Sequence, residues 1–462
     1  MAVPHTIDVG EIVDNQKFSR LNATVLVTTL LLMAADGYDN AAVAYSAPAL
    51  MKAWHIPNIG LLGPVLSANM FGFWLGAPLF GYIGDRFGRK TAIILSTFAF
   101  GLFSLAAVQA GSLTQMMWLR VLAGVGLSGL FPLGIAINNE FAPKSLRATL
   151  VVLLAVGASF GGIAAGPVAA WLTPTYGWQI MFWIGGLVPM AFAVLAYFAL
   201  PESIKFLALH RERRREVAKL LRRLAPNRHI PEDANFVIRN EPKIPRVSVK
   251  KLFEGKLAAI TTLVWLSFMI VGMSYYFFSV WMVTILHYIG LPIAKAAISG
   301  SMYQIGGIIG ALALCRPMDK YGLKSILVLF VLCVPTIAAF DLPNLSTTAI
   351  FAIMLANGIA ILGLKSVINA AAGLIYPTAL RASGVGWAVG MGAVGSVVWS
   401  SLAGILISNG LSISALFVIL SVLMVIGTIT WYAITRLCAA MEVSSSSWVE
   451  GAAAQDARVS PS

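Results

Sequence analysis

The sequence predicts an all-α membrane protein whose twelve transmembrane helices form two pseudo-symmetric six-helix halves. The first observation is composition: 58% of the 462 residues are hydrophobic and only 11% are charged, against roughly 25% charged residues in a soluble domain. The second is length, because about twelve apolar runs reach the roughly 20 residues that a helix needs to cross a bilayer. The third is a repeat of short loop sequences between the two groups of runs.

The predicted spans fall into two groups of six on either side of a polar segment. The first group is 21–47, 59–83, 91–110, 113–138, 148–172 and 180–200. The second group is 257–286, 296–314, 325–340, 348–374, 384–407 and 412–432. The predicted organisation is an N-terminal segment (1–20), a six-helix half (21–200), a central loop (201–256), a second six-helix half (257–436) and a disordered tail (437–462).

Basic residues predict how the chain is oriented in the membrane. With a cytoplasmic N-terminus, 28 of the 32 Lys and Arg residues fall in cytoplasmic segments, as the positive-inside rule requires. Lys52 and Lys295 are then external, while Arg120 and Lys365 lie inside spans. We therefore expect a multi-pass protein of the cell inner membrane with both termini in the cytoplasm. The net charge of +13 then reflects orientation and needs no nucleic-acid partner.

The central loop begins with a basic amphipathic stretch. Its first part contains Arg211, Arg213, Arg214, Arg215 and Arg222. Basic residues on one face of an apolar helix are typical of a helix that lies beside anionic lipid. We interpret the loop as a linker between the two halves rather than as a domain.

Two acidic residues interrupt the first apolar run. Asp36 and Asp39 are three positions apart and share one helix face, and Asn40 lies one turn beyond Asp36. A charged carboxylate at the membrane centre costs roughly 2.5 kcal/mol or more, and such a group can change protonation within a working pH range. We predict a proton or cation site that faces a polar cavity. The alternative is a helix end whose acids are solvated.

The fourth span contains one arginine beside a glycine-rich stretch. Arg120 lies about 10 Å from the outer end of the span, and Gly124 and Gly126 mark a tightly packed face next to it. We predict a functional or pairing role for Arg120; the alternative is a side chain that reaches outward to water. Glu140 closes the same helix and is either a gate residue or part of a solvated helix end.

The loop after the second span reads Gly81-Tyr82-Ile83-Gly84-Asp85-Arg86-Phe87-Gly88-Arg89-Lys90. A tight glycine turn with one acid and three bases can lock neighbouring helix ends through charge-assisted hydrogen bonds. We predict that this loop forms a cytoplasmic gate through Gly81, Asp85, Arg86, Gly88 and Arg89. The alternative is an ordinary basic loop on the cytoplasmic side.

The second half carries aromatic and polar candidates for a binding site. Tyr275 and Trp281 lie in the seventh span, and Tyr303 lies in the eighth. Lys365 and Asn369 are one turn apart in the tenth. Aromatic rings can stack on a planar ligand, and a cation attracts an anion. The alternatives are core packing for the aromatic residues and, for the lysine, a side chain that reaches to the cytoplasm.

Short loop sequences repeat between the two groups of spans. Asp85-Arg86-Phe87-Gly88 recurs as Asp319-Lys320-Tyr321-Gly322. Pro143-Lys144-Ser145-Leu146-Arg147 recurs as Pro377-Thr378-Ala379-Leu380-Arg381, again 234 positions later. Asp319 and Arg381 are therefore the predicted counterparts of the gate residues in the second half. Paired membrane repeats around a central site are the architecture of alternating-access transporters.

These motifs together resemble the major facilitator superfamily, and within it the aromatic acid:proton symporter family. The loop 81–90 resembles the superfamily signature between helices 2 and 3. The narrower resemblance rests on five features: Asp36-Gly37-Tyr38-Asp39 followed by Ala47-Pro48-Ala49-Leu50, Arg120 with its glycines, Glu140, Pro201-Glu202-Ser203, and the stretch from Tyr376 to Trp387. It covers roughly residues 21–432, so it implies the major facilitator fold for the whole membrane portion.

The resemblance implies roles for particular residues. In such transporters the two acids of helix 1 and the arginine of helix 4 are required for proton-coupled uptake, which implicates Asp36, Asp39 and Arg120. The chain departs from the family in helix 11, where Ala393 stands in place of the usual arginine, and in helix 10, where Lys365 replaces the usual glutamine. We hypothesise that Lys365 binds the substrate carboxylate in place of the missing arginine.

We therefore predict a proton-coupled symporter that imports a small organic acid, foremost an aromatic acid such as a hydroxybenzoate. Its expected partners are the organic anion, protons and the lipid bilayer. We expect a monomer. We also expect neither metal nor cofactor, because the three Cys and five His residues are widely scattered. An enzyme is not expected, because no nucleophile with its base is recognisable.

Three alternative functions stay open. The first is import of a non-aromatic carboxylate such as muconate. The second is proton-driven export of a small organic compound, because residues 162–167 partly resemble a helix 5 motif of drug antiporters. The third is a substrate sensor, although no output domain is visible in the sequence.

Overall fold

A computed structural model shows the twelve predicted spans as helices. It describes residues 6–209, 211–226, 230–231, 234–237, 249–376 and 380–459, without the side chains at 6, 148, 211, 256, 315, 316, 319, 382 and 440–459. Within these residues, twelve helices are long and apolar enough to cross a membrane. The predicted fold class, an all-α membrane protein with twelve spans, is confirmed.

A short strand and a short helix precede the first span: β1 (Thr6–Asp8) and α1 (Val9–Asn15). The first six spans are α2 (Arg20–Ala53), α3 (Gly63–Phe87), α4 (Arg89–Ala107), α5 (Leu113–Leu127) with α6 (Leu130–Phe141), α7 (Arg147–Tyr176) and α8 (Gln179–Ala199). The fourth span is divided at Ser128 and Gly129. Pro132 contributes to this break, because it lacks the N–H that would bond the Ser128 carbonyl.

Two helices and a strand lie between the groups of spans: α9 (Ile204–Leu209), α10 (Arg214–Leu224) and β2 (Asn235–Val237). The last six spans are α11 (Lys256–Val280) followed by α12 (Met282–Tyr288), α13 (Ile293–Tyr321), α14 (Lys324–Ala338), α15 (Thr347–Asn357) with α16 (Gly363–Ile375), α17 (Arg381–Ser408) and α18 (Ile413–Val459). A π-turn over Gly358–Leu362 joins α15 to α16. Such turns occur frequently at functional sites, and Lys365 follows this one by three residues.

Local sequence explains where several helices begin. α2 starts at a capping box, in which the side chains of Ser19 and Asn22 satisfy each other's backbone N–H groups. Ser112 and Ser346 cap α5 and α15 from the N-cap position. Gly88 separates α3 from α4 with a φ of +97°, a conformation that strains residues with a side chain.

Glycines let α2 and α7 pack with their backbones in contact. A Cβ at Gly37 would overlap the carbonyl oxygen of Ala158, and a Cβ at Gly161 would overlap that of Ala34. Small residues at such interfaces are typical of membrane helices, because lipid tails are as apolar as side chains and close packing must supply the attraction. This contact holds the acidic part of α2 in a fixed position.

The chain divides into two compact units. The first comprises Met1–Lys243, Phe277–Ile305 and Trp399–Leu411. The second comprises Ile244–Tyr276, Gly306–Val398 and Ser412–Ser462. The first unit thus contains the first six spans together with α12 and parts of α11, α13 and α17. These units differ from the two predicted six-helix halves, whose boundaries stay a prediction.

The N-terminal segment and the central loop pack together within the first unit. β1 pairs in parallel with β2, and α10 contacts both α1 and α2. The apolar face of α10 is buried through Val217, Ala218, Leu220, Leu221 and Leu224. We expected an amphipathic helix beside lipid, but this face is covered by protein. The reason is that α1 supplies buried apolar partners of its own, Val9, Ile12 and Val13.

The last helix is longer than predicted. α18 continues to Val459, whereas we predicted a disordered tail after residue 436. Disorder of the tail from residue 437 stays a prediction. Ala, Met and Glu, which favour helices, occur in this segment, and extending a helix that is already formed costs much less than starting one.

Candidate functional site

Asp39, Ser104 and Arg120 form a closed polar cluster between α2, α4 and α5. Nη1 of Arg120 lies 3.0 Å from Oδ1 of Asp39 and 3.2 Å from Oδ2. Ser104 donates its hydroxyl to Asp39 Oδ1 at 2.8 Å and accepts from Arg120 Nη2 at 2.8 Å. All three residues are 0% exposed. The serine therefore bridges a fully buried ion pair.

The surrounding helices enclose this cluster. The Arg120 guanidinium lies 5.2 Å from the centroid of the Phe182 ring on α8, where a cation is attracted to the ring face. The predicted pairing of Arg120 is confirmed, and the alternative of a side chain that reaches outward to water is wrong. Because the guanidinium is buried and bonded to Asp39, substrate binding by Arg120 would require the pair to separate. That role stays a prediction.

Asp36 lies one turn before the buried pair in a more open setting. Asn40 donates its amide to Asp36 Oδ1 at 3.0 Å, and it accepts from the Asn69 amide of α3 at 3.2 Å. Asp36 is partly exposed whereas Asp39 is buried, so two neighbouring acids have different surroundings. Both lie well inside α2, so the alternative of a helix end with solvated acids is wrong.

Lys365 and Tyr275 meet within the second unit. Nζ of Lys365 lies 3.1 Å from the centroid of the Tyr275 ring, so the ammonium is held on the ring face. Asn369, which is exposed, donates to the Lys365 backbone carbonyl at 2.8 Å. The half-buried lysine thus contacts an aromatic ring of α11. A cation on an aromatic face can attract an anion that also carries a ring.

Trp281 and Tyr303 are buried within the first unit. Trp281 is 0% exposed and donates its indole N–H to Ser400 at 3.1 Å. Tyr303 is 1% exposed and stacks on Phe278, with ring centroids 6.2 Å apart. Here both residues fill the core, which is the alternative we gave for the aromatic residues. Their predicted contact with a substrate stays a prediction.

An ion pair joins the loop after α3 to the end of α6. Arg89 pairs with Glu140, and Glu140 accepts the hydroxyl of Ser203. Glu140 is only 4% exposed, so the alternative of a solvated helix end is wrong. The carboxylate of Glu202 occupies the space that a Cβ at Gly88 would need. Arg89, Gly88 and Glu140 thus form the predicted contact between helix ends.

The other predicted gate residues lie apart from this contact. Three of them are exposed: Asp85, Arg86 and Arg381. Among the described atoms, none lies within 4 Å of a Cβ built at Gly81. The side chain of Asp319 lies outside the described residues. Gate roles for these residues stay predictions.

A second set of contacts within the first unit joins residues 277–305 and 399–411 to earlier helices. The Tyr45 ring of α2 occupies the space where a Cβ at Gly300 would stand. Ser401 donates to Ser67 of α3 at 3.0 Å, and Ser301 donates to the Ile163 carbonyl of α7 at 2.8 Å. These contacts pack residues of the later spans against α2, α3 and α7.

Sequence reasoning missed three polar residues of the site. Ser104 bridges the buried ion pair, Asn69 continues the hydrogen-bond chain from Asp36, and Ser203 bonds Glu140. Small polar residues are common where membrane helices pack closely, so their type alone does not mark them. For Ser203 a signal existed, since it follows Glu202 in a motif that carried the family resemblance.

Two solved transporter structures share the fold of this chain. The crystal structure of a D-xylose-proton symporter superposes with a TM-score of 0.68 at 16% sequence identity, over 89% of this chain and 97% of that chain. A partially occluded inward-open structure of the xylose transporter XylE from E. coli gives a TM-score of 0.69 at 15% identity, over 89% of this chain and 99% of that chain. The fold is that of a membrane transporter.

The chain belongs to the Major Facilitator Superfamily, whose sequence profile matches residues 29–340. It is 30% identical to the 4-hydroxybenzoate transporter PcaK of Acinetobacter baylyi, over 91% of this chain and 92% of that protein. It is also 30% identical to a gallate transporter of Pseudomonas putida, over 90% of this chain and 92% of that protein. The benzoate transport protein of Acinetobacter baylyi is 28% identical, over 93% of this chain and 92% of that protein. The predicted membership of the superfamily is confirmed.

Proposed function

We propose that this protein is a proton-coupled symporter that imports an aromatic acid. The observation that carries the proposal is the buried pair of Asp39 and Arg120, bridged by Ser104. A buried ion pair contributes little net stability, because desolvation offsets the attraction, so charges inside a span favour a functional role. The relatives named for 4-hydroxybenzoate, gallate and benzoate support the substrate class.

Proton coupling follows from the chemistry of this cluster. When Asp39 takes up a proton, its ion pair with Arg120 becomes a weaker hydrogen bond between a cation and a neutral carboxyl group. The guanidinium is then a buried cation without a counter-charge, which favours any rearrangement that brings an anion to it. A substrate carboxylate is such an anion. Protonation and substrate binding therefore favour the same conformational change, which is what symport requires.

The contact of Lys365 with Tyr275 supports recognition of an acid that carries a ring. An aromatic carboxylate can stack on the tyrosine ring and pair with the ammonium at the same time. Lys365 would then supply the positive charge that is missing at Ala393. This assignment predicts weaker binding of acids that lack a ring.

We place the protein in the cell inner membrane as a monomer with both termini in the cytoplasm, and we expect the acid to be released unchanged. The distribution of Lys and Arg supports this orientation.

The contacts of Tyr45 with Gly300 and of Ser401 with Ser67 then lie towards the outer face. These contacts must open to admit the acid, while the pair of Arg89 and Glu140 lies towards the cytoplasm. Alternating opening of the two faces is the mechanism of paired-repeat transporters.

Uptake by cells that express the chain tests the proposal. The labelled substrates are 4-hydroxybenzoate, gallate, benzoate, muconate and a non-aromatic control acid, each with and without a protonophore. We expect accumulation of at least one aromatic acid, abolished by the protonophore and by Asp39→Asn. Asp341→Asn is the matched control, because Asp341 is exposed and lies outside the polar clusters.

Three results would contradict the proposal in different ways. Uptake of muconate alone would replace the aromatic substrate with a dicarboxylate. Protonophore-sensitive loss of a preloaded acid from energised cells would support export instead of import. Unchanged uptake by Asp39→Asn, with unchanged pH dependence, would exclude Asp39 as the proton-coupling residue.

A further inference from the structure

A cavity of about 340 Å3 lies in the first unit beside the N-terminal helix α1. Its wall combines residues of α1, α6 and α9 with the first residues of α4 and α7. Small-molecule sites measure roughly 300–1,000 Å3, so an acid with a single ring fits this space. The cavity is distinct from the cluster around Asp39, because no member of that cluster lines it.

Charged side chains give the cavity an excess of positive charge. Arg89, Arg147 and Lys205 line it, together with the carboxylate of Glu140. Arg147 also bonds the carboxylate of Asp14 at 2.5 Å, so three cations meet two acids. A guanidinium has five N–H donors in a fork that matches a carboxylate, so one acid does not saturate either arginine. The cavity therefore favours an anion.

Apolar side chains form another part of the wall. Val9 and Val13 of α1, Ala136 of α6 and Ile204 of α9 line the cavity. A ligand that fits both parts carries an anionic group on an apolar body. Asn139 also lines the cavity, and its side-chain oxygen is buried without a hydrogen-bond partner among the described residues.

The helix over the cavity is held in place by contacts with distant parts of the chain. Gln16 donates to the Phe141 carbonyl at 2.6 Å, and Asp14 pairs with Arg147. β1, which leads into α1, pairs with β2 of the central loop. Because Arg147 both lines the cavity and anchors α1, binding of an anion is linked to the docking of α1.

We propose that this cavity binds a small aromatic carboxylate from the cytosol and that the bound acid slows further import. The choice of ligand rests on the proposed function, whereas the cavity and its charges do not. The carboxylate pairs with Arg147 and Lys205, and the ring lies against Val9, Val13 and Ile204.

A bound acid affects the gate because the same arginine, Arg89, belongs to both the cavity and the gate. Arg89 lines the cavity and also pairs with Glu140. A carboxylate bound to Arg147 and Lys205 also lies beside Arg89 and competes with Glu140 for its guanidinium. An acid that accumulates in the cytosol therefore stabilises one state of the gate at the expense of the others, which couples this cavity to the transport site.

The test is equilibrium dialysis of labelled 4-hydroxybenzoate against the purified full-length chain in nanodiscs of phosphatidylcholine. We expect two equivalents bound to the unmodified protein and one to Val13→Trp, whose indole fills the cavity. Val13→Leu is the matched control and keeps both equivalents. Lys205→Gln weakens one equivalent about tenfold, as expected for the loss of one charge-assisted bond.

A second cavity-filling variant and a variant at the other binding site serve as further controls. Ala136→Phe fills the cavity from α6, so loss of the same equivalent in both filled variants excludes misfolding of one of them. Lys365→Gln should weaken the other equivalent about tenfold and leave this one unchanged. The proposal would be overturned if both filled variants still bound two equivalents. It would also be overturned if the unmodified protein bound one equivalent whose binding is weakened only by Lys365→Gln.

Two further experiments distinguish this proposal from the proposed function and from the binding of a lipid headgroup. If the chain transports no acid but one equivalent still depends on Val13→Trp, the proposed function fails and this site stands. If nanodiscs with phosphatidylglycerol displace that equivalent, a lipid headgroup is the ligand and the cytosolic acid is excluded. In proteoliposomes, unlabelled acid trapped inside should slow uptake by the unmodified protein but not by Val13→Trp.

Discussion

The carboxylate of Asp39 and the guanidinium of Arg120 form an ion pair 3.0 Å long in which neither side chain has any exposed surface. The partners are 81 positions apart and come from α2 and α5, so the pair is a product of tertiary packing. Ser104 of α4 bonds both. Three helices thus share one charge-neutral cluster, and a proton added to it changes contacts on all three.

Arg120→Gln should destabilise the protein more than the double variant Asp39→Asn with Arg120→Gln. The single change leaves the Asp39 carboxylate buried without its cation, which costs about 3–5 kcal/mol, whereas removing both charges avoids much of that cost. Thermal unfolding in detergent measures the difference. Uptake should be absent in both variants. Equal stability of the single and double variants would show that the pair is not electrostatically coupled.

Ser104→Ala should alter the pH dependence of uptake as well as stability. The serine makes two hydrogen bonds to charged groups, each worth roughly 1.5–3 kcal/mol, and its loss removes both from the pair of Asp39 and Arg120. The matched control is Ser96→Ala on the same helix, because Ser96 is equally buried but bonds the Gly126 backbone carbonyl. A pH profile that shifts equally in both variants, or in neither, would contradict this role.

Lys365→Gln should raise the KM for the aromatic acid about tenfold or more, because an ion pair with the carboxylate is replaced by a hydrogen bond from an uncharged donor. Tyr275→Phe should change the KM little, since the ring face that holds the ammonium remains. Initial rates of labelled uptake over a range of concentrations measure both. Unchanged affinity in Lys365→Gln would mean that this lysine does not bind the substrate.

Gly72→Ala and Gly81→Ala should differ sharply in stability although both lie on α3. A Cβ at Gly72 would overlap the Val121 carbonyl of α5, whereas at Gly81 no described atom lies within 4 Å. The first change should abolish folding or lower the unfolding temperature strongly. The second should be neutral or slightly stabilising, because Ala favours a helix by roughly 1 kcal/mol over Gly. Fluorescence-monitored size exclusion compares them, and uptake by Gly81→Ala tests its predicted gate role separately.

Residue types and their order predicted much of this molecule. Spans were predictable because hydrophobic length alone decides whether a helix crosses a bilayer, and the acids of α2 stood out because charge is rare there. For Arg120 we expected a functional or pairing role, with a side chain that reaches outward to water as the alternative. Its partner was not named, because several acids could have been within reach.

Other features were not predictable for a physical reason. Ser104 resembles any serine in a packed helix until its neighbours are known. The apolar face of α10 could have met lipid or protein, and only the docking of α1 decided between them. Trp281 and Tyr303 have rings suited to ligand contact, yet in this structure they are closed off by Ser400 and Phe278.

By itself, the sequence determined that the chain spans a membrane twelve times and which superfamily it belongs to. These properties depend on composition along the chain, which needs no knowledge of distant contacts. Tertiary structure alone decided that Asp39 rather than Asp36 pairs with Arg120, that Ser104 joins them, and that α1 covers a basic cavity. Such features arise where helices far apart in sequence pack together, because the free energy of a buried charge is set by its spatial neighbours.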